Sequence, residues 1–150
     1  MQELKVRIQD AKVVEGVLKE LGATFERETD FTDTYFNQSP GEVLKTTEGN
    51  EGISLMALRA EDGRFKITKK EAIVDLEKTK NELSLKYGVK RILKGRRRYF
   101  SLPNFKVTLN FIENLGDFLI LTGDNPIKEF IEGELGIKNP EYITVSFDNL

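Results

Sequence analysis

Basic side chains recur at alternate positions along several short stretches of this chain: Lys5 and Arg7, then Lys66 and Lys70, then Lys94, Arg96 and Arg98, with Arg59 on a further stretch. Ammonium and guanidinium groups give charge-assisted hydrogen bonds to phosphate oxygens, and arginine adds a bidentate fork. Two arrangements fit such rows. They are solvated outer faces of antiparallel strands, or the sheet closes with the rows inward and gathers them around a polyanion. Periodicity alone does not choose between them. The dense run from Lys90 to Arg98 suits nucleic-acid contact when read as a linear motif. Alternation splits it, with Lys94, Arg96 and Arg98 on one face and Arg97 on the other, and no ladder of aromatics accompanies it for base stacking. Nucleic acid is therefore the disfavoured partner.

The composition narrows the chemistry further. The chain of 150 residues has no cysteine and no histidine, which excludes disulfides, thiolate or imidazole metal sites and nucleophiles activated by histidine. Catalysis, if any, falls to carboxylates, lysines, arginines, tyrosines or hydroxyls. Lys and Arg number 23 against 25 Asp and Glu, so an anion site must come from local sorting of charge rather than from a basic molecule overall. No stretch approaches the about 20 apolar residues of a membrane helix, and the N-terminus lacks a signal-peptide pattern. The expectation is a cytoplasmic protein of one domain, residues 1–150. There is no Walker loop, dinucleotide fingerprint or EF-hand.

The elements that must position these residues are mostly strands. Leu4, Val6 and Ile8 alternate with Glu3, Lys5 and Arg7, the period of a half-buried strand. Asp10 caps a helix with Val13, Val14, Val17, Leu18 and Leu21 at helical spacing, and Gly22 ends it. Strands are predicted over 23–36, 53–59 and 64–70. The turn residues Asn37 to Gly41, Gly49-Asn50-Glu51-Gly52 and Glu61-Asp62-Gly63 separate them. Ala72, Val74 and Leu76 suggest a further strand running into a helix over 79–87. A meander follows over 91–101, 105–113 and 116–122, then a helix opened by Asn125-Pro126 and a short tail. Many antiparallel strands with few helices predict an α+β domain built on a curled sheet or barrel.

In order along nearly the whole chain, Glu3-Leu4-Lys5-Val6-Arg7-Ile8, Asp33-Thr34-Tyr35-Phe36, Leu58-Arg59 with Glu61-Asp62-Gly63, Ile67-Thr68-Lys69-Lys70, Lys94-Gly95-Arg96 with Tyr99, Val107-Thr108-Leu109-Asn110, Leu115-Gly116-Asp117-Phe118-Leu119 and Ser146-Phe147 resemble the CYTH domain. This is the triphosphate tunnel superfamily of class IV adenylyl cyclases, thiamine triphosphatases and inorganic triphosphatases. The resemblance implies an eight-stranded antiparallel β-barrel with a few flanking helices. Its lumen would bind a triphosphate through lysines and arginines, with acidic residues holding Mg²⁺ or Mn²⁺. Glu3 and Lys5 match the second glutamate and the lysine of the family's Glu-x-Glu-x-Lys signature. Arg59 matches the second arginine of an Arg-x-Arg strand, Lys70 the lysine of the next strand, and Lys94 and Arg96 a later Lys-x-Arg pair. The departures fall on the acids: Met1 replaces the first signature glutamate, Asn110 an aspartate, and Ile120 and Thr122 a Glu-x-Glu pair, while Ala57 replaces an arginine.

The expectation is a CYTH-like protein that binds a triphosphate or other phosphate-rich small molecule, with catalysis weakened or absent. Its phosphate ligands would be Lys5, Arg7, Arg59, Lys66, Lys70, Lys94, Arg96 and Arg98. Glu3 is the residual metal ligand, and Glu71 and Asp75 are the residues from which a rearranged Mg²⁺ or Mn²⁺ site could be built. Two alternatives stand beside it: a working metal-dependent triphosphatase or adenylyl cyclase that uses those acids, and a domain that binds RNA or long polyanions.

Overall fold

Strand β1 (Gln2–Arg7) is the seam of the structure, a computed structural model that describes residues 1–50 and 52–150. On one side β1 pairs along its length with β8 (Gly116–Gly123), Glu3 opposite Thr122 and Lys5 opposite Ile120. On the other side its first residues pair with β5 (Arg64–Ala72), Gln2 opposite Lys66 and Glu3 opposite Phe65. That second pairing closes the sheet into an antiparallel barrel. Around it the order runs β5, β4 (Gly52–Glu61), β3 (Glu42–Gly49), β2 (Thr24–Phe36), β6 (Val89–Ser101), β7 (Lys106–Ile112), β8 and β1. The expected eight-stranded α+β barrel is what forms. A short ninth strand, β9 (Glu141–Tyr142), takes the rest of the β1 edge at Val6 and Arg7.

The predicted elements recur with three differences. The run 42–49, left between two turns by the sequence pattern, is β3. Beyond Ala72, the last residue of β5, no further strand forms over 73–75, because Asp75 turns the chain instead and caps α2 (Leu76–Tyr87) by accepting from the Lys78 backbone N–H. The helix expected after Asn125-Pro126 narrows to a π-helical turn over Phe130–Glu134 after a short helical lead-in. Glu51 of the expected 49–52 turn lies outside the described residues. Helix α1 (Ala11–Glu20) begins where expected, with Asp10 accepting from the Lys12 and Val13 backbone N–H groups at 3.1 and 3.3 Å.

Two apolar clusters hold the barrel from opposite sides. Outside, Leu4, Val6, Val107, Leu109, Leu119 and Leu121 pack beneath Val14 and Leu18 of α1 and beneath Phe130, Ile131 and Leu135. Inside, Phe31, Tyr35, Leu58, Phe65, Phe118 and Phe147 fill one end of the lumen, with Phe118 and Phe147 ring centroids 4.8 Å apart. Phe147 comes from the C-terminal tail. The tail is moored to β6 by the Lys90–Asp148 ion pair at 3.0 Å and by Arg91 donating to the Leu150 carbonyl at 2.6 Å. The interior is therefore a cup, floored by aromatic rings at one end. No helix among the described residues is long and apolar enough to cross a membrane.

Candidate functional site: a cationic cup

Above the floor the lumen opens into a cavity of about 430 Å³. Six basic residues line it, Lys5, Arg27, Lys45, Lys70, Arg97 and Lys106, against two acidic ones, Glu3 and Glu26. Strand alternation explains the set. Glu3 and Lys5 point inward from β1, Lys45 and Thr47 from β3, Ser54 and Met56 from β4, and Arg97 and Tyr99 from β6. Thr108 and Asn110 come from β7, and Ile120 and Thr122 from β8.

The deep part is organised around Asp33, which is 1% exposed. Its carboxylate accepts from Lys45 Nζ at 2.9 Å, Thr47 Oγ1 at 2.7 Å and Arg97 Nη2 at 2.6 Å. Thr47 stands directly opposite Asp33 in the β2–β3 ladder, and Lys45 lies one diagonal step along. Arg97 reaches Asp33 across the Phe31 ring, with its guanidinium 3.7 Å from the ring centroid. Its Nε donates to Asn110 Oδ1 at 2.7 Å. Burial alone would push the Asp33 carboxyl up, but Arg97 and then Lys45 outweigh it and hold the group well below the usual carboxylate range. The same pairing raises Arg97 against the opposing effect of its own burial.

Lys5 is held differently. Its Nζ lies over the Phe65 and Phe147 rings at 4.2 and 4.4 Å and 3.7 Å from Glu3. Burial brings its ammonium down to about 8, with Lys45 and Arg97 adding to the shift and Glu3 opposing it. Nearer the mouth, Arg27 stacks on Tyr99 at 4.0 Å and pairs with Glu26 at 3.2 Å. Lys70 and Lys106 line the rim there with no ion-pair partner among the described residues.

Of the residues singled out from sequence, Glu3, Lys5 and Lys70 line this cavity. The others do not. Lys94, Arg96 and Arg98 face outward from β6. Arg96 lies over Phe111 and pairs with Glu28 at 2.6 Å, and Arg98 joins Glu28 at 2.9 Å to Glu15 of α1. Arg98 thus ties α1 to the barrel wall, and the inward member of the run is Arg97. Arg59 also faces outward, bonded to Glu42 at 2.9 Å, because β4 turns Ser54 and Met56 inward. Lys66 and Lys70 share parity, yet only Lys70 reaches the lumen. The β4–β5 register skips Thr68 between Lys69 and Ile67, and this bulge reverses the faces. Arg7 keeps the inward parity of Lys5 but lies beyond the floor, bonded to Glu141 at 2.8 Å and to the Leu115 carbonyl.

The acids expected to supplement Glu3 are also elsewhere. Glu71 pairs with Lys69 at 3.5 Å on the outer face, and Asp75 is spent on the cap of α2. Asn110, Ile120 and Thr122, the positions where the resemblance placed carboxylates, do line the lumen. Their chemistry is that of an amide, a hydrocarbon and a hydroxyl. Among the described residues no three acidic, histidine or cysteine side chains come together. A divalent ion held by protein needs several oxygen ligands, and Glu3 beside Lys5 does not supply them. The donor set does not fit a protein-held Mg²⁺ or Mn²⁺.

Sequence reasoning missed Lys45, Arg97, Arg27 and Lys106. For Lys45 a signal was present: Val43, Lys45 and Thr47 alternate between the turns at Pro40-Gly41 and Gly49, with the β-branched pair Thr46-Thr47 among them.

A barrel closed by β1 against β5, with lysine and arginine turned into its lumen, is the architecture that the resemblance implied. The chain has the CYTH fold. No family model matches the CYTH-like chain. A curated protein of Methanocaldococcus jannaschii that bears the provisional name adenylate cyclase is 28% identical over 135 residues, which cover 79% of this chain and 74% of that protein. A solved Pyrococcus horikoshii protein superposes with a TM-score of 0.86 at 21% identity, covering 100% of this chain and 99% of its own. An adenylyl cyclase candidate from Hippeastrum, described as having a dominant triphosphatase activity, superposes at 0.66 with 14% identity, covering 97% and 92%. At these identities the structures establish the CYTH barrel and leave activity to the site itself.

Proposed function

We propose that this chain binds a triphosphate or similarly phosphate-rich small molecule inside the cup, with turnover weak or absent. The observation that carries this reading is the convergence of Lys5, Lys45 and Arg97, all nearly excluded from water, at the base of a cavity whose rim adds Lys70 and Lys106. Buried cations beyond those that Asp33 and Glu3 neutralise are costly unless an anion completes them. A phosphate chain descending from rim to base would meet lysines at both levels. The provisional adenylate cyclase name of the M. jannaschii relative and the triphosphatase activity of the Hippeastrum protein support the phosphate-chain ligand. Weak turnover rests on the acid positions: attack on phosphorus gains much of its rate from metal neutralising and orienting the phosphates. Asn110, Ile120 and Thr122 offer no carboxylate for that purpose.

Calorimetric titration with sodium tripolyphosphate tests the reading. Lys70→Ala, at the rim and outside the Asp33 cluster, is expected to weaken binding by about tenfold, the worth of one charge-assisted contact. Arg96→Ala, on the outer wall, is expected to leave it unchanged. Equal loss in both variants, or no binding by the unaltered protein, would overturn the proposal.

A further inference from the structure

We infer that the cup selects phosphate chains that carry no divalent cation, so that Mg²⁺ opposes binding rather than assisting it. This rests on the phosphate-binding reading above and adds the form in which the ligand is taken.

The selection is electrostatic and involves every wall of the cavity. A magnesium ion bridging two phosphates removes negative charge from the chain that the lysines would grip, and it brings a tightly held shell of waters. It also carries two positive charges into a low-dielectric space already occupied by Lys5, Lys45 and Arg97. Such an ion is welcome only where carboxylates face it. From β1 it would meet Glu3, already 3.7 Å from Lys5. Directly across from Glu3 and Lys5, β8 offers Thr122 and Ile120, and the β7 residue opposite Ile120 is Thr108. The Asn110 amide oxygen is engaged by Arg97, and the Asp33 carboxylate is engaged by three donors. Lys45 and Lys70 come from β3 and β5, and the β4 wall between those strands presents Ser54 and Met56. Glu26 stands at the mouth beside Arg27. The cavity is furnished to replace a counter-cation with its own side chains.

The test is the ratio of two dissociation constants for sodium tripolyphosphate, one in EDTA and one in saturating Mg²⁺, at equal pH and ionic strength. At least tenfold weaker binding in Mg²⁺ is expected. Binding that is unchanged or tightened by Mg²⁺ would overturn this inference while leaving the phosphate-binding reading intact, whereas no binding in either condition would overturn both. Thr122→Glu places a second carboxylate across the ladder from Glu3. Its own binding in EDTA reports that the cup is folded, and the penalty from Mg²⁺ is expected to shrink at least threefold. An unchanged penalty would show that the missing carboxylate is not its source.

Discussion

Asp33 and Lys5 lie in the same cup and show two ways of keeping a charge out of water. Asp33 has three donors and stays ionised far below its usual range. Lys5 has two phenyl faces and one carboxylate at 3.7 Å, and burial outweighs that carboxylate and lowers its ammonium to about 8. An unfolded lysine titrates near 10.5, so between about 8 and 10.5 the unfolded chain holds a proton at Lys5 that the folded chain has released. Stability rises with pH wherever the unfolded state binds more protons. Lys5 therefore costs stability at neutral pH and returns it as the solution becomes alkaline. Denaturant titration of the unaltered protein and of Lys5→Met at pH 7 and pH 9.5 checks this. The difference between them is expected to move toward the unaltered protein by about 2 kcal/mol over that interval, and a constant difference would contradict it. The residue scale was the most legible in sequence. The strict alternation of β1 placed Glu3 and Lys5 on one face, and both line the cup. In β6 both faces are charged, the outer one to reach Glu28 and Glu15 and the inner one to reach Asp33. Parity separated Arg97 from its neighbours without saying which side was inward, because the deciding partners lie on other elements.

Elements obey their periods except where a single residue breaks them. Thr68, the bulge residue of β5, sends Lys70 inward and Lys66 outward, and nothing in the run Ile67-Thr68-Lys69-Lys70 marks it in advance. Strand β3 lacks a legible pattern because, although its turns are clear, its inward face, Val43-Lys45-Thr47, mixes apolar, charged and polar side chains. A lumen lined with charged and polar side chains removes the hydrophobic contrast on which strand patterning depends. Gly95 is a second local exception. It sits in β6 opposite Phe31, and a Cβ there would collide with the Phe111 carbonyl oxygen of β7. The close approach of β6 and β7 lets Arg97 and Asn110 meet two residues further along. Gly95→Ala must push the two backbones apart, since a carbonyl in a ladder cannot swing aside as a flexible side chain could. A loss of about 2 kcal/mol is expected from this overpacking, read from the denaturation midpoint. A stability within 0.5 kcal/mol, the range of an ordinary surface change, would show that the ladder absorbs the methyl group.

At the scale of the whole molecule, the closed barrel acts as a cup because its last residues return to stop one end. Strand order and barrel class could be expected from the spacing of short strands, yet the stopper could not. Phe147 lies in a tail whose sequence reads as strand or irregular, and its role exists only when the barrel encloses it. There it contacts the Phe118 ring and lies beneath the Lys5 ammonium, so one side chain joins the apolar floor to the ionic site. Phe147→Ala separates these two functions. Loss of a fully buried phenyl ring is expected to cost about 3–5 kcal/mol of stability, measured by chemical denaturation. Tripolyphosphate binding should weaken as well, because water entering the floor from the vacated side would hydrate Lys5 and raise the effective dielectric around Lys45 and Arg97. The C-terminal moorings make a control possible. Lys90→Ala loosens the tail at its pair with the largely buried Asp148 while leaving the ring in place. If the floor is what matters, Lys90→Ala should cost only about 1–2 kcal/mol and bind tripolyphosphate as the unaltered protein does. Equal loss of binding in both variants would instead make the tail's attachment, rather than the ring, the determinant of the cup.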